Sequence, residues 1–211
     1  MTDSNKNKPE ELVSRNRRKL FVETGGLSDV VLNWYGEAVE KLEPYAKAYH
    51  SAAQLLIEKS TGDQLRDINA CPIVFLYRLS LELYLKAILI LGSSILRQDG
   101  TRFRIVEEIL NQRHNLPGLW KEFKTLCRLL DWEWETEYDA CGEIIMELHE
   151  KDPGSFCFRY PITMSGDPAL EHDFRFDLEN FCARMDEVLE VLDRVDCGLA
   201  GILDESQEPI A

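Results

Sequence analysis

The sequence predicts an all-α fold, an antiparallel bundle of four to five helices with a short hairpin or extended flap before the last helix. The segment from Tyr77 to Leu91 is apolar around nearly the whole circumference of a helix. Residues 119–130 and 138–148 repeat large apolar side chains at spacings of three and four. Residues 181–202 keep the same spacing over three heptads, so this last stripe either completes the bundle or joins two subunits.

The part of the chain before the central helix also carries a helical pattern. Apolar residues from Ala38 to Leu56 alternate spacings of four and three, but Pro44 interrupts them. Because proline is tolerated only in the first turn of a helix, we expect either two helices, at 29–42 and 44–60, or one kinked helix. Pro72 is expected near the start of the central helix.

Two connections separate the later helices. Residues 97–113 are polar and contain a short helical stretch near 105–110. Pro153 and Gly154 end the helical pattern, and apolar residues at 156, 158 and 160 then follow a period of two. The second connection is therefore predicted to be a hairpin or an extended flap over 156–164.

The chain is predicted to form one domain over residues 27–205, with a basic, flexible arm at 1–26 and a flexible tail at 206–211. The first nineteen residues contain six Lys or Arg and three acids. Such a basic arm is either a solvated tail or a contact for RNA or a protein partner.

Composition excludes several classes of protein. The net charge of -14 makes the chain as a whole repel polyanions, so RNA contact would need a local patch, such as residues 97–128 with seven basic side chains and four acids. The six cysteines include no CxxC pair, which favours reduced thiols in the cytoplasm. The apolar run from Ile73 to Leu91 has the length of a membrane span, but its three charged residues favour a buried helix and no membrane.

Three charged residues, Arg78, Glu82 and Lys86, follow one line along the apolar central helix. After a loop, His114 and Asn115 open the next helix, in the sequence His-Asn-Leu. An apolar helix that carries Glu-x-x-x-Lys, followed by His-Asn-Leu, resembles the HEPN superfamily of helical domains in prokaryotic toxin–antitoxin and defence systems. The resemblance implies a helical bundle, a homodimer, and a partner such as a minimal nucleotidyltransferase or another operon-encoded protein.

Many HEPN proteins are metal-independent ribonucleases with an Arg about four to six residues before a His. The imidazole would move a proton during attack by the RNA 2′-hydroxyl, and the guanidinium would stabilise phosphate charge. None of the four histidines in this chain has an Arg at that spacing, although Arg113 adjoins His114. The resemblance therefore favours a binding module without catalytic activity, and a ribonuclease that uses Arg113 and His114 in a non-standard site is the alternative.

The candidate site residues each have a structural alternative. His114 and Asn115 could cap the next helix, with the imidazole bonded to a carbonyl or to Glu82, and Glu82 with Lys86 could be a structural ion pair. Arg159 could pair with acids near Glu143. The full set of candidates for binding a partner or RNA is Arg78, Glu82, Lys86, Arg113, His114, Asn115, Arg159 and Tyr160.

No metal site or cofactor is predicted. The acids at 133, 135 and 137 alternate near a helix start, which is typical of a solvated face. The sequence contains no phosphate-binding P-loop, no dinucleotide-binding glycine motif and no serine-hydrolase elbow.

Overall fold

A computed structural model describes residues 27, 29–32, 38–60, 63–98, 100–101 and 103–207. The chain divides into two compact units, residues 1–36 and residues 37–211. The predicted arm at 1–26 lies outside the described residues, and so does most of the predicted tail. All the helices described below belong to the second unit.

The described fold is all-α, as the sequence predicts: helices account for 71% of it and it contains no strand. Five long helices and one short one follow a 3₁₀ turn at Ala38–Lys41. They are α1 (Leu42–Lys59), α2 (Asp63–Gln98), α3 (Val106–Leu110), α4 (Leu116–Leu129), α5 (Thr136–Lys151) and α6 (Leu178–Gln207).

Helix α2 is the centre of the bundle. It packs against α1, α4 and α6, and α5 closes the far side by packing against α4 and α6. Residues of α2 such as Leu85 and Ile88 are fully buried because they meet neighbours on several sides. The most apolar segment of the chain therefore lies where other helices cover it on several sides.

The helices do not all alternate in direction. The pairs α1–α2, α4–α5 and α5–α6 run antiparallel, whereas α2 runs parallel to α4 and to α6. The direction of α4 along α2 follows from two contacts, Glu82 with His114 and Gly92 with Leu126. The direction of α6 follows from Arg66 with Glu179 and Tyr84 with Asp193. The connection between α2 and α4 is long enough to return to the middle of α2, which permits the parallel arrangement.

The two prolines near the first helices are placed differently from each other. Pro44 lies in the first turn of α1, where its missing N–H group costs nothing, so the helix that begins at Leu42 is the second of the two predicted helices. The predicted helix at 29–42 is wrong over 29–32, where exposed valines have no apolar face to bury against.

Pro72, predicted to lie near the start of the central helix, lies inside α2 and beyond its first turn. Helix α2 begins nine residues earlier, at Asp63. The ring of Pro72 is exposed, so the carbonyl group of Ile68 that it leaves without an N–H partner can be hydrated. Packing of α1 and α6 on the rest of α2 offsets the local cost.

The apolar stripes of α4, α5 and α6 are largely buried, as the sequence predicts, although Ile202 at the end of the α6 stripe is 40% exposed. Asn115 caps α4 by accepting a hydrogen bond from the backbone N–H of Gly118. The α6 stripe packs inside the chain, with Met185, Val188 and Leu192 fully buried. The predicted seam therefore completes the bundle.

The connection from 152 to 177 contains no strand, and the predicted period-two segment at 156–160 is a turn. Asp152 Oδ1 accepts hydrogen bonds from the backbone N–H groups of Phe156 and Cys157, and the backbone N–H groups of Arg159 and Tyr160 donate to the Phe156 carbonyl. A single antiparallel bridge joins Ile162 to Pro168. Side-chain capping therefore competes successfully with strand pairing here.

One helix in the described part of the chain, spanning Arg66–Gln98, has the length and apolar character needed to cross a membrane. Of its most apolar window, 78% is buried inside the fold. The core helix of a globular protein has the same properties.

Candidate functional site

A cluster of charged side chains joins the middle of α2 to the start of α4 and the end of α5. Glu82 lies at its centre, and only 4% of its side chain is exposed. Lys86 Nζ donates to Glu82 Oε1 at 2.7 Å, His114 Nδ1 lies 2.9 Å from Glu82 Oε2, and Arg78 Nη1 lies 3.4 Å from the same oxygen. The predicted polar line of α2 and the predicted His114 thus lie in one cluster.

Arg78 ties three segments of the chain together. Its side chain is fully buried, and its Nη2 donates to the carbonyl oxygens of His114 and Asp152, each at 3.0 Å. Asp152 Oδ2 lies 3.3 Å from Arg78 Nε, at ion-pair distance but without a hydrogen bond. Burial lowers the pKa of Arg78, and the carboxylates of Asp152 and Glu82 oppose this shift. Two cations, Arg78 and Lys86, thus face two carboxylates, Glu82 and Asp152, and the cluster is nearly balanced in charge.

His149 lies beside the cluster. Its Nδ1 is buried and has no hydrogen-bond partner, and burial together with the positive charge of Arg78 lowers the pKa of His149. A lowered pKa keeps this imidazole neutral near pH 7.

His114 is fixed on one side and open on the other. Its side chain is 43% exposed although Nδ1 is bonded to the buried carboxylate of Glu82. A proton on Nδ1 would leave Nε2 as an acceptor. Arg113 is exposed and has a left-handed backbone with φ of 49°, which serves the turn into α4.

Arg159 and Tyr160 form a separate contact at the surface. The Arg159 guanidinium lies 5.5 Å from the centre of the Phe75 ring and 5.6 Å from that of Tyr160, and its Nε donates to the Ser155 carbonyl. The expected pairing of Arg159 with the acids of α5 is wrong, because the turn at 156–160 directs this side chain toward α2 instead.

A well-formed concavity lies elsewhere, between α5, the N-terminal half of α6 and the connection that precedes α6. It is a groove of about 650 Å³. Four phenylalanines line it and contact one another in sequence, with ring centres 5.6–6.4 Å apart: Phe158, Phe174, Phe176 and Phe181. We call this concavity the phenylalanine groove. Its volume lies within the usual range for ligand sites.

The rim of the phenylalanine groove is charged. Glu143 and Glu147 stand on the α5 side, and Arg175 and Arg184 stand on the opposite side. Arg184 is paired with Glu187 at 2.6 Å, and Lys151 lies 5.6 Å from the centre of the Phe174 ring.

Across the part of the chain that the structure describes, no group of three or more His, Cys, Asp or Glu residues is placed to hold a metal ion. Burial raises the pKa of Cys127, Cys141 and Cys182 to about 11, so these thiols are poor nucleophiles at neutral pH.

Sequence reasoning missed Asp152 and the phenylalanine groove. Asp152 had a local signal, since an acid directly after a helix and before Pro-Gly often caps the following turn. The groove had none, because Phe158 is far in sequence from the other three rings and no local pattern predicts that they meet.

In comparisons with known proteins, no family model, no curated protein and no solved structure matches this chain.

Proposed function

We propose that this protein is a helical binding module, HEPN-like in character, that acts by docking a partner and has no catalytic activity of its own. The phenylalanine groove is the observation that carries the proposal. Phe176 remains 39% exposed beside three other phenylalanine rings, and exposed apolar surface that lines a concavity is characteristic of interaction sites.

The charged cluster around Glu82 supports the same proposal. Its ionised side chains bond one another or backbone carbonyl groups, which holds the start of α4 and the end of α5 against α2. Such a cluster fixes the scaffold, and its charges are already satisfied.

The partner that we propose is a second copy of the chain or another protein of a toxin–antitoxin or defence operon, such as a nucleotidyltransferase. RNA is the weaker candidate. In the basic stretch 97–128, Arg104 is paired with Glu122, and Arg128 bonds the Lys124 carbonyl and Thr125. The ion pair offsets the charge of Arg104, and the two hydrogen bonds of Arg128 occupy donors that a phosphate would need.

Co-expression of the tagged chain with the products of its neighbouring genes tests the proposal. We expect a stoichiometric complex with the wild-type protein that is lost in Phe176→Asp and retained in Met164→Asp, a matched change at a fully exposed residue outside the groove. A complex that survives Phe176→Asp would move the binding surface away from the groove.

A second candidate function, a metal-independent ribonuclease, rests on His114. A buried carboxylate that holds Nδ1 of an exposed imidazole is the arrangement that orients a general base. Arg113 adjoins it on the exposed turn.

The two functions are separated by incubating purified protein with single-stranded RNA in the presence of a chelator. Loss of a general base lowers rates by about a hundredfold or more. We expect no cleavage that depends on His114. Cleavage by the wild type that disappears in both His114→Ala and Arg113→Ala, with folding intact, would establish the ribonuclease instead.

A further inference from the structure

The phenylalanine groove also carries information about the chemistry of its occupant, and this inference rests on the proposed binding function. Its floor is preformed. Phe158 is buried, Phe174 and Phe181 are half-buried, and the edge-to-face contacts of the four rings hold each ring in place. A preformed apolar floor favours an occupant with a row of apolar side chains, because little ordering remains to be done on binding.

The α5 side of the groove presents uncommitted negative charge. Glu143, Glu147 and Glu150 are exposed, and none of them forms an ion pair with any residue that the structure describes. They lie on one face of α5, at helical spacings of four and three, but only Glu143 and Glu147 line the groove. Glu150 and the 42% exposed Met146 lie on the neighbouring surface beside α4.

The carboxylates of the groove outnumber its unpaired cations. Arg184 is held by Glu187, which leaves Lys151, over the Phe174 ring, and Arg175 without a described ion pair, against the carboxylates of Glu143, Glu147 and Asp177. The groove edge therefore attracts a cationic partner more strongly than an anionic one. The net charge of -14 over the whole chain acts in the same direction.

We infer that the phenylalanine groove docks a basic amphipathic helix of a partner protein. The apolar stripe of that helix packs on the four phenylalanines, and its Lys or Arg side chains face Glu143 and Glu147 of α5. The glutamate spacing on α5 matches basic residues that recur every three to four positions on a neighbouring helix, as charged flanks do in helix pairs.

Fluorescence anisotropy with two labelled, helix-stapled peptides of about 18 residues tests this inference. Both probes carry the same leucine stripe; one has lysines on the flank that faces α5, and the other has glutamates there. The full-length protein is titrated as wild type, as Glu143→Lys/Glu147→Lys, and as Phe176→Asp. The matched control is Glu107→Lys/Glu190→Lys, which makes the same change of charge at exposed residues outside the groove.

We expect the lysine probe to bind the wild type and the control at least about tenfold more tightly than the glutamate probe, with the preference reduced at high salt. We expect Glu143→Lys/Glu147→Lys to reverse the preference, and Phe176→Asp to weaken both probes by about tenfold or more. Circular dichroism melting of each variant establishes that it is folded.

Equal binding of the two probes, or tighter binding of the glutamate probe, would overturn the basic partner while the proposed docking function stands. Failure of both probes to bind the wild type would overturn the helix as occupant. The co-expression experiment decides the docking function independently, because it does not depend on the charge of a chosen probe.

Discussion

Glu82 shows how a single residue can hold a scaffold together through charge. Its carboxylate accepts from Lys86 and contacts Arg78 and His114, all in a site where Arg78 is wholly buried. Taking these charges out of water is costly, and the cost is offset only while every partner is present. The cluster therefore positions the start of α4 and the end of α5 against α2, and it adds little net stability.

Replacing Glu82 by Gln removes the negative charge between two buried cations. We expect Glu82→Gln to lower the free energy of unfolding by about 3–5 kcal/mol, since Arg78 and Lys86 then lack their shared counter-ion. Urea denaturation measures the change. Glu179→Gln, which breaks the exposed pair with Arg66, should cost only about 0–1 kcal/mol, and equal losses in the two variants would contradict the account.

At the scale of the helices, the α4–α5 contact depends on the absence of a side chain at residue 142. A Cβ atom built on Gly142 would lie 2.6 Å from Nε1 of Trp120, and the indole ring is stacked on Phe123 with centres 4.8 Å apart. The ring cannot move aside without disturbing the core. Gly142 therefore sets the distance between these two helices.

We expect Gly142→Ala to lower the free energy of unfolding by about 1–3 kcal/mol, although alanine is the better helix former. Gly201→Ala is the matched control, because nothing lies within 4 Å of the added Cβ atom in α6. That variant should be stabilised by up to about 1 kcal/mol. Thermal unfolding of both variants gives the comparison, and stabilisation of Gly142→Ala would contradict close packing.

Helix α2 also contains a local defect that can be removed. Pro72 interrupts the backbone hydrogen bonds of a long helix at an exposed position. We expect Pro72→Ala to raise the free energy of unfolding by about 1–3 kcal/mol, because the alanine N–H group can bond the Ile68 carbonyl. Pro153→Ala, in an exposed turn, should give no gain, since it only adds freedom to the unfolded chain. A loss of stability in Pro72→Ala would show that the packing of α2 requires the proline.

At the scale of the whole molecule, the response to pH depends on a group of acidic residues where α6 meets α1. Lys47 pairs with Glu43 and Asp193, Tyr84 donates to Asp193, and Asp196 is largely buried beside them. Burial, together with the charges of Glu43 and Asp193, raises the pKa of Asp196 to about 6, while Lys47 opposes the shift. The folded protein therefore binds this proton more tightly than the unfolded chain.

The sign of the pH dependence follows from that difference. Between pH 3.8 and about 6 the folded state holds the proton that the unfolded state has lost, so the free energy of unfolding falls as pH rises, and the loss persists above pH 6. We expect Asp196→Asn to gain on the order of 1–2 kcal/mol over the wild type at pH 7.5, after allowance for solvent screening, and nothing at pH 3.5. Urea titrations at both pH values measure it, with the exposed Asp204→Asn as control. A gain of equal size at both pH values would contradict a titration origin.

The sequence predicts the helices well where burial repeats with the helical period. The stripes of α4, α5 and α6 are recognisable because each buries one continuous face, and α3 falls inside the predicted short helical stretch. Local propensity does not predict the helix around Pro72, where the packing of α2 on its neighbours outweighs the cost of a proline inside the helix. It also fails at 156–160, where Asp152 captures two backbone N–H groups and makes a turn from a segment with a period of two.

The contacts of the candidate site are likewise predictable from the sequence only in part. Arg78, Glu82 and Lys86 share one helix, so their common line can be derived from spacing alone. Their contact with His114 agrees with one of the two interpretations of that residue, but the two carbonyl groups that Arg78 binds depend on how three segments meet, which no local pattern encodes. The phenylalanine groove cannot be predicted for the same reason, since its rings meet only when distant segments pack together.

Arg78 has a consequence for where the chain can be lengthened. Because one guanidinium holds the carbonyl groups of His114 and Asp152, residues added directly after either position would push a bonded oxygen out of reach. The stretch at 165–167 is exposed, and Gly166 turns there with φ of 89° and open space around it. An epitope tag or a fluorescent label inserted at this turn would leave both carbonyl bonds intact, which makes Gly166 the attachment point for observing the protein in a complex.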